Sequence, residues 1–337
     1  MSFKNLFQIK RTKMVDEAAY NHQPTSTLKS IGIFILLMII AEAIMGVIIS
    51  IPTTIYIFAD GKMMQATNEF ISGTISEEQY STIVEDITLN MPTWITAVTL
   101  FVYAILAATA IFFCKKFEKR TVSSMGLRKP FGAIEYAIGL LIGALMLGLS
   151  LLIPYSSGLI TFKFNPAASV PLIILFFLGF VVQGASEEIF VRGYFMTSLA
   201  RDIKASIAVI ISSIAFSLMH LGNNGFSLIA LINIILIGLF LGIYVFKRGN
   251  LWGACAIHTA WNFALGNIFG ISVSGMNILP SVFIAENNSS LNIITGGAFG
   301  IEGSICTTLV ILIFITLALI MKPNPNEQSE VTVEYFA

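Results

Sequence analysis

The sequence predicts an all-α polytopic membrane protein, with about eight transmembrane helices in one bundle around an intramembrane polar cavity. Three observations lead there. The 337 residues are 56% hydrophobic and only 11% charged, with a mean hydropathy of +0.84; a soluble surface of this size carries more charge. Eight apolar stretches meet or approach the roughly 20 residues of helix that a hydrocarbon core of about 30 Å requires. Finally, three ionisable side chains fall within one short string, Ser186-Glu187-Glu188-Ile189-Phe190-Val191-Arg192, at the end of the apolar run from Val170 to Gln183. Charges at membrane depth cost about 2.5–3.5 kcal/mol each on insertion scales, so they mark a functional site by default.

The elements follow in order. Residues 1–28 are polar and carry Lys4, Lys10, Arg11 and Lys13. The apolar stretch after them is too long and too far from the start for a cleaved signal, so it reads as a retained anchor. Region 29–130 holds two spans, 31–54 and 94–114, joined by an acidic loop at 59–92 with Asp60, Glu69, Glu77, Glu78, Glu85 and Asp86. Region 131–271 holds the core spans 132–154, 169–199, 205–223, 228–246 and 251–271. The second of these is overlong because it contains the charged string. The stretches 205–223 and 251–271 are interrupted by small and polar residues, as suits helices facing protein. A loop at 272–303, a last span at 304–321 and a polar tail at 322–337, read as disordered, complete the chain. Of 19 Lys and Arg, only Lys62 and Lys163 lie on one side; the positive-inside bias therefore puts both termini in the cytoplasm, as expected of an integral protein of the plasma membrane. An even number of spans agrees.

Smaller features are bland. Gly139–Gly143 and Gly238–Gly242 match GxxxG and read as close packing within the bundle. Cys114, Cys255 and Cys306 read as small buried thiols, with neither a disulfide framework nor metal spacing. A formal net charge of zero gives no sign of a nucleic-acid partner.

Three pieces carry chemistry: Glu187-Glu188 with Arg192, Phe216-x-x-x-His220, and His258-x-x-x-Asn262. Residues four apart share a helix face, so Glu188 and Arg192 are disposed to pair, while Glu187, about 100° around, faces elsewhere. Asp202-Ile203-Lys204 is a turn between two helices, and Glu187 and His220 are equidistant from it, hence at one depth. His258 and Asn262 lie about 15–21 Å beyond Arg248 along their helix, so all four side chains can converge. A carboxylate in such a pocket can act as general base towards water, with one histidine holding the water. A second histidine and an asparagine amide can donate to a developing oxyanion. Two histidines and a glutamate also make a zinc ligand set, here Glu187, His220 and His258; either no cofactor or zinc is compatible with the pattern. Phe216 reads as packing beside the site. Glu42, about 20 Å into the first span, is a second deep carboxylate left outside the site, and Asn233 reads as interhelical glue.

These three motifs, in order on membrane helices, resemble those of the CAAX protease and bacteriocin-processing (CPBP, or Abi) family of intramembrane proteases, over about residues 120–271. The resemblance implies that Glu187 and His220 activate water, that His258 and Asn262 form the oxyanion site, and that Glu188 and Arg192 are a supporting ion pair. It also implies an endopeptidase acting on a peptide or lipidated-protein substrate, in CAAX-like cleavage, peptide processing or self-immunity. Two rivals remain: a non-catalytic immunity or scaffold protein, and a proton-coupled transporter using Glu42, Glu187 and Glu188. The second would be expected to show repeated halves, and no internal repeat is visible.

Overall fold

The computed structural model describes residues 9–20, 22–59, 61–89, 92–128, 132–277 and 280–330. It is a mostly helical polytopic membrane protein. After a short helix α1 (Lys13–Ala19) come α2 (Thr27–Ala59), the pair α3 (Lys62–Ile71) and α4 (Glu77–Leu89), and then α5 (Thr93–Val102) and α6 (Ala104–Lys116), separated only by a kink at Tyr103. The core contains α7 (Gly132–Ser156), α8 (Val170–Glu188), a π-helical segment (Ile189–Met196), α9 (Thr197–Asp202), α10 (Ala205–Leu218), α11 (Leu228–Arg248) and α12 (Trp252–Phe263). A short α13 (Asn292–Thr295) and the apolar α14 (Ile305–Ile320) close the chain.

Every apolar stretch read from the sequence is helical here. Five continuous helical segments are long and apolar enough to cross a membrane: Thr27–Ala59, Thr93–Lys116, Gly132–Ser156, Val170–Asp202 and Leu228–Arg248. Three are shorter: α10, α12 and α14. Neighbouring helices shield their backbones, so these need not each bridge the full bilayer. The outer helices show lipid a continuous aliphatic face. On α2 it includes Leu36, Ile39 and Val47, exposed by 55%, 57% and 63%.

Small residues set the closest approaches. A Cβ on Gly139 would lie 2.3 Å from the Gly253 carbonyl oxygen, and one on Gly143 would lie 2.5 Å from that of Ile257. Thus α7 rests directly on α12, and the first GxxxG pair serves packing inside the bundle. Gly238 and Gly242 do the same for α11 against Ser213 and Val209 of α10. The three cysteines are free and buried.

Two parts differ from the sequence expectation. The all-α bundle carries one small ribbon the sequence did not announce: β1 (Ile160–Phe164) pairs antiparallel with β2 (Phe283–Asn287), Ile160 opposite Asn287 and Phe164 opposite Phe283. The partners are distant in sequence, so neither five-residue strand announces itself locally. The start of the C-terminal tail is also ordered. Thr12 bridges to Gln328, and Arg128 donates from its two terminal nitrogens to Glu17 and Glu327, each at 2.6 Å. The remainder of the tail, 331–337, lies outside the described residues, as do Lys4 and Asp60. Both described chain ends thus meet at one end of the bundle. The tight turn between α9 and α10 lies at this end too, because Arg11 donates to the Ala200 carbonyl at 3.2 Å and His22 to Asp202 at 3.0 Å.

The α7–α12 contact has a direct test. Gly143→Leu is expected to cost about 1–3 kcal/mol through forced separation of the helices. Gly148→Leu, whose Cβ meets nothing within 4 Å, is expected to stay within about 0.5 kcal/mol. Thermal unfolding of both purified variants in one detergent checks this.

Candidate functional site

The site begins with a glycine. Gly184 lies one turn before Glu188 on α8, and a Cβ there would meet the backbone nitrogen of Thr259 at 3.1 Å. The close approach it permits brings α12 near enough for His258 Nδ1 to donate to Glu188 Oε1 at 3.0 Å. The same carboxylate oxygen accepts from Arg192 Nη1 at 2.7 Å, and both charged side chains are fully buried. Arg192 lies in the π-helical segment, where the ladder admits an extra residue per turn, a feature frequent at functional sites. Its guanidinium carbon stands 4.3 Å from the centre of the Phe216 ring, a desolvated cation–π contact. Phe216 therefore holds Arg192 from above as well as packing beside the histidines.

Glu187 turns the other way, but not to a separate environment. Its Oε2 is 3.7 Å from His258 Nε2, too long for a hydrogen bond, so one imidazole faces both adjacent glutamates through its two nitrogens. Its Oε1 accepts from Gln183 Nε2 at 2.5 Å, and Gln183 Oε1 accepts from Asn262 Nδ2 at 3.0 Å. Asn262, Gln183 and Glu187 thus form one chain of donors and acceptors. Glu187 Oε2 is buried and has no hydrogen-bond partner among the described residues, leaving an acceptor beside the cavity.

His220 was expected on the same helix as Phe216. It lies instead just past the end of α10, in a turn where its backbone nitrogen donates to the Ser217 carbonyl at 3.1 Å. The ring still meets Phe216 edge-on, centroids 4.9 Å apart. Its Nδ1 lies 2.9 Å from the Phe216 carbonyl. A carbonyl only accepts, so Nδ1 carries the proton and Nε2 is left as an acceptor.

A cavity of about 120 Å³ collects these groups: Glu187, His220, His258, Asn262 and Phe216 all line it. That volume accommodates several water molecules. Glu188 and Arg192 do not line it; they stand behind the wall. Glu42 and Tyr103 do, so the deep carboxylate of α2, left outside the site on sequence grounds, faces the same space as Glu187. Asn233 acts chiefly as glue, its amide donating to the carbonyls of Glu302 and Ser304 at 2.7 and 2.8 Å.

Sequence reasoning missed two members. Gln183 was legible, one turn before Glu187 on the same face. Glu302 carried no local signal, since it comes from the loop before α14. It lines the cavity and accepts from Trp261 Nε1 at 3.0 Å and Ser274 Oγ at 3.0 Å. Burial pushes its carboxyl above the usual range, against the lowering effect of these donors.

Donor geometry bears on the zinc alternative. Among the described residues no three His, Cys, Asp or Glu side chains form a group that could hold a metal ion. The residues as arranged do not fit a three-ligand centre of Glu187, His220 and His258, and no step below is routed through a metal.

Residues 169–264 match the family model described as type II CAAX prenyl endopeptidase Rce1-like. The match is consistent with the CPBP resemblance carried by the three motifs, and at a coarse level it supports a CAAX-type protease in a membrane. No curated protein and no solved structure matches the chain.

Removing the guanidinium strands a buried carboxylate. Arg192→Ala is expected to destabilise the protein by about 3–5 kcal/mol, and Glu188→Gln with Arg192→Met by much less. Chemical denaturation in detergent micelles distinguishes the two.

Proposed function

We propose that this Rce1-like protein is an intramembrane endopeptidase, hydrolysing a peptide bond with water activated by Glu187 and His220. One observation carries the reading: side chains from three separate segments of the chain line one small cavity, in which Glu187 keeps a buried acceptor oxygen with no partner among the described residues. A water between that oxygen and His220 Nε2 meets two acceptors, so both its protons are held and its lone pair is free to attack. Glu187 takes the proton as the new C–O bond forms and returns it to the amine that leaves, so proton and water are both accounted for.

The carbonyl being attacked needs donors on its other side. Asn262 spends one N–H on Gln183 and keeps a second. His258 is oriented by Glu188 through Nδ1, and in its doubly protonated form it presents Nε2–H to the developing oxyanion. Glu188 and Arg192 are then positioning residues: they hold the imidazole plane and never touch substrate. The substrate class follows from the family description: a prenylated or otherwise lipidated peptide whose scissile bond reaches the cavity from the membrane. The described chain ends lie at one end of the bundle, and the positive-inside bias of the basic loops supports reading that end as cytoplasmic in a plasma-membrane protein.

Glu187→Gln and His220→Asn are each expected to lower cleavage of a farnesylated CAAX peptide by about 10²–10⁴-fold, without loss of thermal stability. Asn262→Leu is expected to lower kcat by about 10²–10³-fold. Phe216→Leu is expected to have the milder effect, because it loosens Arg192 rather than removing a reacting group. Product release by purified protein in nanodiscs measures all four. Wild-type turnover by Glu187→Gln would end the water-activation reading.

A further inference from the structure

A second cavity, of about 530 Å³, lies at the end of the bundle where the chain ends meet, well apart from the site above. Its walls come from the linker before α2 and the first turns of that helix, from the end of α6, and from the final turns of the fourth long apolar segment. It is larger than the catalytic cavity, and its charges are unbalanced. Glu118 lies in it, but is satisfied twice over: Arg201 Nη2 donates to one oxygen at 2.7 Å and Arg120 Nη1 to the other at 3.0 Å. Burial acts to raise the Glu118 carboxyl, and the two guanidinium groups overcome this and hold it below the usual range. His22 is taken by Asp202. Lys29 and Lys119 also line the cavity, and neither ammonium group has a hydrogen-bond or ion-pair partner among the described residues.

The backbone reinforces the point. Lys119 has φ +56°, one of two non-glycine residues with positive φ among those described. That conformation is disfavoured for any residue with a Cβ. The strained turn immediately follows α6 and its exit from the apolar layer. Lys29 occupies the corresponding position at the start of α2. Beneath the two lysines the walls are apolar: Ile33, Phe113 and Phe117, the last of them 64% exposed. Two unpaired cations over an apolar, outward-open wall, at the depth where helices leave the bilayer, match one amphiphile: phosphate above, acyl chain below.

We infer that this cavity is a binding site for an anionic phospholipid, with the phosphate held by Lys29 and Lys119 and an acyl chain lying along Ile33 and Phe117. The site does not depend on the protease reading, and its test uses no activity. Full-length protein is extracted from mixed phosphatidylglycerol and phosphatidylcholine membranes, and the retained lipid is counted by native mass spectrometry. Wild type is expected to keep phosphatidylglycerol in preference to phosphatidylcholine. Each juxtamembrane lysine contributes roughly fivefold to anionic-lipid affinity, so Lys29→Gln with Lys119→Gln should weaken retention on the order of 30-fold. Lys115→Gln with Lys116→Gln, on the same helix end but outside the cavity, should retain lipid as wild type does. Equal retention by both double variants would overturn the site, leaving only a diffuse basic surface. Binding of radiolabelled inorganic phosphate that the Lys29/Lys119 variant abolishes, with no preference between the lipids, would overturn the lipid assignment in favour of free phosphate. Unchanged melting of the Lys29/Lys119 variant in pure phosphatidylcholine nanodiscs establishes that any loss is of binding and not of folding.

Discussion

The buried pair of Glu188 and Arg192 is the constraint on which the rest depends. Two full charges at zero exposure are costly to desolvate, and a buried ion pair seldom repays that cost against an apolar substitute of equal volume. Its value here is geometric. Glu188 is shared between Arg192 on its own helix and His258 on α12, so the pair registers one helix against another. The guanidinium is in turn covered by Phe216 of α10. One carboxylate thereby links three elements, which carry every residue of the three motifs except His220, just past the end of α10.

The same arrangement explains how adjacent glutamates do different work. Successive residues on a helix differ by about 100° in direction, which the wall of the cavity converts into a chemical difference. Glu188 is on the dry side: its Oε1 accepts from Arg192 and His258, and its Oε2 is buried with no hydrogen-bond partner among the described residues. Glu187 is on the lined side, with one oxygen held by Gln183 and the other free. The imidazole of His258 stands between them, one nitrogen towards each.

How much of this was legible depends on where each signal is stored. Spans and motifs are stored in short stretches of sequence: helices occupy the apolar runs and a turn joins α9 to α10, while His220 lies past the helix that its spacing from Phe216 suggested. The sequence sets Glu187 and His220 at one depth from the helical rise alone, and both line one cavity. What escaped is non-local. The β1–β2 pair joins segments more than a hundred residues apart. Glu302 enters the cavity from a loop whose sequence says nothing of its destination. The tail before residue 331 is ordered by Arg128, which bridges helix α1 to Glu327. The π-helical segment is a further case: it carries Arg192 against Phe216, and no propensity in Ile189–Met196 announces it. His220 lies beyond α10, with its Nδ1 at the Phe216 carbonyl.

Glu42 shows most plainly why membrane depth matters to the site. The residue belongs to the first span, outside the segment that matches the family model, yet it lines the cavity opposite Glu187. Helix α2 also carries Lys29 at the level of the second cavity. The two positions are 13 residues apart in the sequence, about 20 Å along a helix. With Lys29 held at headgroup depth, Glu42 falls at the depth of the catalytic groups. A slip of α2 by one turn towards the membrane centre, about 5.4 Å, would carry Glu42 out of register with Glu187 and draw the Lys29 ammonium group towards hydrocarbon, a displacement whose cost opposes that slip.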